Sequence, residues 1–445
     1  MPGGRLLLSP PVSPGLSQLV SDAAQAQPKV AALTLDERLA RAAEGRRRLA
    51  DREDEIVERV VAEVGQAIRF ARRELRSALL FLDALPQLAD AIRPREVPAV
   101  GGTTVLEWAP YGVVYGWHAA NSPIWVPTVV VASALVAGNA VVSRPSRRAR
   151  VSTGLVLDAL RGLWPDGAVQ VVDAPPEHAE RLIAAPGIGA VVAHASTSTC
   201  KRHLALLGAA YAQGAQLRPY IPEASGNDAL LVLDGADLDR AAAAAAMAGF
   251  LNGGQLCMSA KRLIVERAVW HEFRPRLVKA VEALVMGSPS HDATDMPPLA
   301  DSPARDHARQ ALAEAVALGG EIVVGRGEQG PFFTPTVVLL SRGSLDTMLW
   351  REEVFAPLRG VVVAEDADDA VELANDTTFG LGASVFGGPA DVPDRLHGAR
   401  VVVEEDALYQ DPHLVVGGVG DSGFGGARPK LEQLVYARRV HRVST

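Results

Sequence analysis

Residues 113–148 read VVYGWHAANSPIWVPTVVVASALVAGNAVVSRPSRR. Residues 113–117 have strand character, 118–123 form a polar loop with a proline, and 126–142 is the longest apolar run in the chain. That run contains Ala, Thr, Ser, Gly and Asn and is too short to span a bilayer, so it reads as a buried helix and a following strand, broken at Gly138-Asn139. A helix over 151–163 and strands at 169–172 and 189–192 continue the alternation, which predicts a doubly wound parallel sheet. Such sheets place ligands beyond the C-terminal ends of their strands. Asn121 sits in such a loop, and its amide N–H can face a developing oxyanion, a contact worth on the order of 3 kcal/mol in one protease.

Length and composition are ordinary for a soluble globular protein. With 445 residues, 48% of them hydrophobic and 22% charged, the chain is long enough for two or three domains with real cores. A net charge of −8 gives no reason to expect nucleic acid. Two cysteines, Cys200 and Cys257, exclude a disulfide framework or a cysteine-rich zinc site, and no histidine has metal-ligand spacing, so no metal is expected. The apolar core of the N-terminus, Leu6-Leu7-Leu8, is too short for a signal peptide, no membrane span is expected, and a reducing, cytoplasmic setting follows. Residues 1 to about 30, rich in Pro, Ser and Gly, read as a loose arm. Thr34 and Glu37 make a capping box for a helix, with Leu35, Leu39 and Ala42 starting its apolar stripe. Residues 94–114, with Gly101-Gly102 in their middle, read as a hairpin.

The chemistry concentrates in 223–262, EASGNDALLVLDGADLDRAAAAAAMAGFLNGGQLCMSAKR. Glu223 precedes a glycine-bearing turn; a strand near 229–233 and an Ala-rich helix follow; Cys257 comes next, behind Gly253, Gly254 and Gln255. A thiolate is the strong nucleophile among side chains, and a carboxylate able to take a proton from water is the partner a thioester needs.

Asn252-Gly253-Gly254-Gln255-Leu256-Cys257, Arg262 and the placing of Glu223 resemble the nucleophile and general-base motifs of the aldehyde dehydrogenase superfamily. The resemblance runs from about Thr34 to Val443. It implies an α/β fold: a doubly wound cofactor domain (1–95 and 113–225), a second α/β catalytic domain (226–415), and a small β oligomerisation element (96–112 and 428–445) whose tail completes a partner's sheet. The implied activity is oxidation of a small aldehyde to its carboxylic acid through a thiohemiacetal and a thioester, with hydride passing to NAD(P). Cys257 is then the nucleophile, Glu223 the base and Asn121 an oxyanion donor. Glu353 and Phe355, in Glu352-Glu353-Val354-Phe355-Ala356-Pro357, stand where the family holds the nicotinamide ribose and ring.

The cofactor motifs depart from the family's. Arg144-Pro145-Ser146-Arg147 replaces Lys-Pro-Ser-Glu at the adenosine end; Arg144, Ser146 and Arg147 without the acid suit a 2′-phosphate, since arginine forks pair with phosphate oxygens. NADP is therefore the expected cofactor, with NAD second. Ser196 can donate to the pyrophosphate at a helix start, but Ala195 and Cys200 occupy glycine positions, where a methyl group would push the phosphates outward. Two alternatives stay open: coenzyme A in place of water as the acyl acceptor, which the presence of Glu223 argues against, and a non-catalytic scaffold or binding protein with a degenerate cofactor site. The assembly implied is a homodimer or a dimer-based tetramer. Pocket positions are placed around Trp117, Ser122, Trp125, Leu256, Met258 and 409–413, with the tryptophans suggesting an apolar or aromatic aldehyde.

Overall fold

The computed structural model describes residues 12–99, 102–299, 302–405, 408, 417–425 and 430–443. The chain divides into two compact units. One comprises Met1–Ile56, Glu74–Glu223 and Arg428–Thr445, the other Val57–Arg73 and Ala224–Ala427.

The first unit is built on a five-stranded, wholly parallel sheet in the order Val169–Val171, Ala140–Arg144, Val113–Trp117, Ile188–His194, Tyr220–Glu223. The chain starts at the central strand, winds outward on one side and returns to the other. The switch point thus lies between Val113–Trp117 and Ile188–His194. Helix Trp125–Val136 is buried at every residue from Val126 to Val136, as an all-round apolar helix must be. Gly138 ends it with φ +89°, the left-handed geometry usual just past a helix C-terminus. Asn139 then ties the corner: its amide donates to the carbonyls of Ala134 (3.2 Å) and Leu434 (2.9 Å), and its Oδ1 accepts from Gly112 N–H (3.0 Å).

Before the sheet, helix Leu35–Asp51 carries the expected capping box between Thr34 and Glu37. The loose arm expected up to residue 30 is corrected from Pro14 onward: Pro14–Ala31 is a helix that buries Leu16, Val20, Ala23, Ala26 and Val30. Its Pro and Ser content suggested a coil, yet proline is favoured in a first turn, and apolar residues spaced by three and four are a helical pattern. Strands Arg95–Ala99 and Gly102–Pro110 form the expected hairpin, and Val435–Val443 pairs antiparallel with the second of them. The tail is thus paired on one side within its own chain.

The second unit centres on a seven-stranded sheet in the order Glu321–Val324, Thr336–Leu339, Leu358–Ala364, Ala260–Glu266, Asp228–Val232, Gly382–Phe386, Arg400–Val403, parallel except for the first strand. Alternation along one strand builds two cores: Ala229, Leu231 and Leu233 pack with Ala308, Ala311 and Ala315 of helix Ser302–Ala317. Leu230 and Val232 face helices Leu238–Phe250 and Arg267–Glu282. Phe332–Phe333 and Thr336–Leu339 are separate strands, because Pro335 between them has no N–H for a ladder. Residues 57–73, grouped by sequence with 1–95, pack in this unit: Ile68 N–H donates to Pro289 O at 2.8 Å, and Arg69 and Arg72 pair with Asp295 and Asp292. No helix among the described residues is long and apolar enough to cross a membrane.

Candidate active site

In the first unit, the expected site residues gather at one edge. Asn121 follows strand Val113–Trp117, Arg144 ends its neighbour, Ser196 follows Ile188–His194, and Glu223 ends the outer strand in register with His194. All are at C-terminal strand ends, where this topology opens its crevice. Ser196 caps helix Thr197–Ala212, its Oγ accepting from Thr199 N–H. A 16-residue helix whose N-terminus meets the switch point offers the partial positive charge that suits a pyrophosphate.

The residues at the missing glycines do not block this mouth equally. Cys200 is only 4% exposed, its Sγ lies 3.9 Å from Ala195 O, and burial pushes its thiol pKa up. Its side chain is thus turned into the interior, while Ala195 is half-buried at the rim. Ser196 at the start of that helix and Arg147 just past strand Ala140–Arg144 are both exposed, and each is a donor of the type that suits the phosphates of a dinucleotide.

Arg144 ends its strand with its side chain buried. It is 5% exposed, its guanidinium stacks 3.9 Å from the centre of the Trp117 ring, and burial lowers its pKa. Stacking of this kind suits arginine. On the other side, His203 meets the Trp117 ring edge-on at 4.9 Å and shares a 3.0 Å hydrogen bond with Tyr220. Trp117 is thereby packed in the core; Ser122 and Trp125 are half-buried, and 409–413 lie outside the described residues.

Glu74 escaped sequence analysis. Its Oε1 accepts from Ser122 Oγ, Ile124 N–H and Trp125 N–H, each at 2.8 Å. A buried carboxylate on three donors fixes the loop that carries Asn121 and satisfies the start of the following helix.

In the second unit, three loops enter adjacent parallel strands from the same side. They are 224–227 before Asp228–Val232, 252–259 before Ala260–Glu266, and 352–357 before Leu358–Ala364. The nucleophile candidate and Glu353 are therefore neighbours through sheet register. Backbones pass very close here: a Cβ on Gly226 would lie 2.5 Å from Cys257 O, and one on Gly254 (φ +69°) 2.5 Å from Ala356 O. Glycine is required at both positions for these reasons. Asn252 is the rarer case, a non-glycine at φ +56°, buried beside the cysteine loop, a place where strain marks function.

Buried cations hold the loops. Arg359, fully buried, donates to the carbonyls of Ala356 (2.8 Å), Leu358 (2.7 Å) and Gly254 (3.1 Å). Arg262 donates to Asn227, Leu373 and Ala374 carbonyls at 2.9 to 3.0 Å. Lys261 Nζ donates to Leu256 O (3.0 Å), Cys257 O (2.7 Å) and Ser259 O (3.4 Å) and lies 3.6 Å from Glu353 Oε1. The same Glu353 oxygen accepts from Gly226 N–H at 3.0 Å. Cys257 and Phe355 are half-buried. Behind the loops, burial raises the Asp228 carboxyl to about 6, against the pull of Lys261 and Arg400. Of these cations only Arg262 was singled out by sequence. Lys261 stands next to it, but one basic residue before a strand carries no signal of its own. Among the described residues no cluster of His, Cys, Asp or Glu suits a metal.

The sequence model of the aldehyde dehydrogenase family matches residues 15–438. A succinate-semialdehyde dehydrogenase [NADP(+)] of Mycobacterium avium (strain 104) is 32% identical over 386 residues, 84% of this chain and 79% of that protein. A vanillin dehydrogenase of Pseudomonas fluorescens is 32% identical over 440 residues, 95% of this chain and 88% of that one. Among solved structures, the NADP complex of an NADP-dependent glyceraldehyde-3-phosphate dehydrogenase from Bacillus halodurans C-125 superposes with a TM-score of 0.89 at 24% identity, covering 97% of this chain and 91% of the other. With the site's loops arranged as above and these matches spanning nearly its whole length, the chain belongs to the aldehyde dehydrogenase family.

Proposed function

We propose that Cys257, Glu223 and Asn121 carry the oxidation of an aldehyde to its carboxylic acid in this enzyme. The observation that supports this most is the tightly tied Cys257 loop, bracketed by obligatory glycines and set beside Glu353 by strand register. The Cys257 thiolate adds to the aldehyde carbon. The resulting oxyanion is met by the Asn121 amide and the Cys257 backbone N–H. Bound NAD(P) supplies the hydride acceptor for the oxidation step. Glu223 takes a proton from the water that attacks the thioester, and the acid leaves.

Ser196 and the helix behind it would hold the pyrophosphate, Glu353 the nicotinamide ribose, and Phe355 would pack near the ring. At the adenosine end Arg147 and Arg148 are cations open to solvent, with Ser146 beside them, while Arg144 is buried against Trp117. That charge, with no acid to repel a 2′-phosphate, favours NADP over NAD, and the Mycobacterium avium relative is named for NADP(+). Residues 1–95 and 113–225 then form the cofactor domain, apart from 57–73, and 226–415 the catalytic domain. The sheet of 96–112 and 428–445 serves assembly into a homodimer or dimer-based tetramer. Cys200 and Cys257 are both free thiols, which suits a reducing cytoplasm.

Replacing the nucleophile is the test. Cys257→Ser is expected to cut aldehyde turnover at least about 10³-fold, measured as NAD(P)H formation; a variant that kept most of its rate would overturn the reading.

A further inference from the structure

Lys261 has a contact set that the reaction as written does not use. Its ammonium is 2% exposed and sits on three carbonyls of the nucleophile loop, those of Leu256, Cys257 and Ser259. Three donors meet three acceptors, so the ammonium is fully committed. Glu353 at 3.6 Å supplies countercharge, and the other charged or titratable groups acting on it are Asp228, Arg359 and Cys257.

The consequence follows from peptide geometry. Leu256 C=O and Cys257 N–H belong to one planar trans peptide and point in opposite directions. A cation that anchors the carbonyl therefore fixes the direction of the N–H on the other side, and by polarising the amide it strengthens that N–H as a donor. The second contact, to Cys257 O, fixes the next peptide too, so the nucleophile's backbone is clamped on both sides. Oxyanion stabilisation depends on donors that are aligned before charge develops. We propose that Lys261 is a positioning residue that aims and polarises the Cys257 backbone N–H as an oxyanion donor, and that this, more than activation of the thiol, is its contribution to aldehyde oxidation. The inference rests on Cys257 being the nucleophile.

Two rates separate the possibilities. Aldehyde oxidation passes through an oxyanion; alkylation of the thiol by iodoacetamide displaces iodide and forms none. In Lys261→Met, kcat/KM for aldehyde at saturating NADP is expected to fall about 10- to 100-fold, less than or similar to the loss of a whole oxyanion donor. The rate at which iodoacetamide labels Cys257, followed by peptide mass, is expected to stay within about threefold, half a pKa unit of the thiol. Parallel loss of both rates would overturn the proposal in favour of a role in thiol activation or in loop folding, and so would an unchanged kcat/KM. If Lys261→Met does not fold, Lys261→Gln is judged by the same two rates. Cys257→Ser assayed alongside distinguishes the layers: turnover surviving in that variant removes the nucleophile and with it this role. An inactive Cys257→Ser beside a fully active Lys261→Met removes only the role of Lys261.

Discussion

Arg147 and Arg144 differ by three positions and by almost everything else. The strand pairs Arg144 with Trp117, which draws its guanidinium onto the ring, whereas Arg147 lies past the strand end in water. A charge-assisted contact between Arg147 and a 2′-phosphate is worth roughly 1.5 to 3 kcal/mol when shielded, and exposure moves it to the lower figure or below. Arg147→Glu is thus expected to lower the ratio of kcat/KM for NADP to that for NAD about 10-fold; a native preference for NAD, or a ratio this variant leaves unchanged, would contradict the assignment. The motif was legible because the type and order of its residues are local. Which of its two arginines faces water depends on a tryptophan one strand away. The same holds for Cys200: sequence shows a side chain in place of glycine, but only packing shows that it turns inward.

Among the elements, the link from helix Ile68–Leu88 to the Asn121 loop has the largest gap between sequence and structure. Nothing in the sequence joins Glu74 to the polar loop some fifty residues later; the fold brings its carboxylate under Ser122, Ile124 and Trp125. Glu74→Ala would leave two backbone N–H groups and a hydroxyl without that acceptor. It is expected to cost about 1.5 to 3 kcal/mol in denaturant unfolding and to lower kcat more than it raises the KM for cofactor. Glu74→Gln, which keeps an acceptor of the same shape, is expected to recover part of both. Stability and kcat both unchanged in the alanine variant would show that the loop holds itself. Strands and helices with a strong apolar period were legible throughout, as 113–144 illustrates. The Pro14–Ala31 helix was obscured by turn-forming residues.

At the scale of the whole molecule, composition and α/β alternation were enough for the class of fold; of the proposed catalytic residues, Asn121 and Glu223 sit at strand ends of the first sheet and Cys257 lies just before a strand of the second. The proposed catalytic residues were read from local chemistry, a cysteine just after two glycines and a carboxylate before a turn. The edges left by the sheets bear on assembly. Strand Arg400–Val403 ends the larger sheet, and Arg95–Ala99 and Val435–Val443 flank the small one, each paired on one side among the described residues. Exposed edges invite pairing, and a two-fold partner is the commonest cover. Light scattering at micromolar concentration is expected to give a dimer or tetramer mass, and a monomer would contradict this.

The division of labour between Cys257 and Glu223 is tested most directly by trapping the intermediate that lies between them. Glu223→Gln, mixed with aldehyde and NADP and acid-quenched on the millisecond scale, is expected to show a burst of NADPH close to one per active site, with slow turnover after it. Intact and peptide mass should then place one acyl group on Cys257. Steady turnover at the native rate with Cys257 unmodified, or an acyl group carried on another residue, would contradict the account.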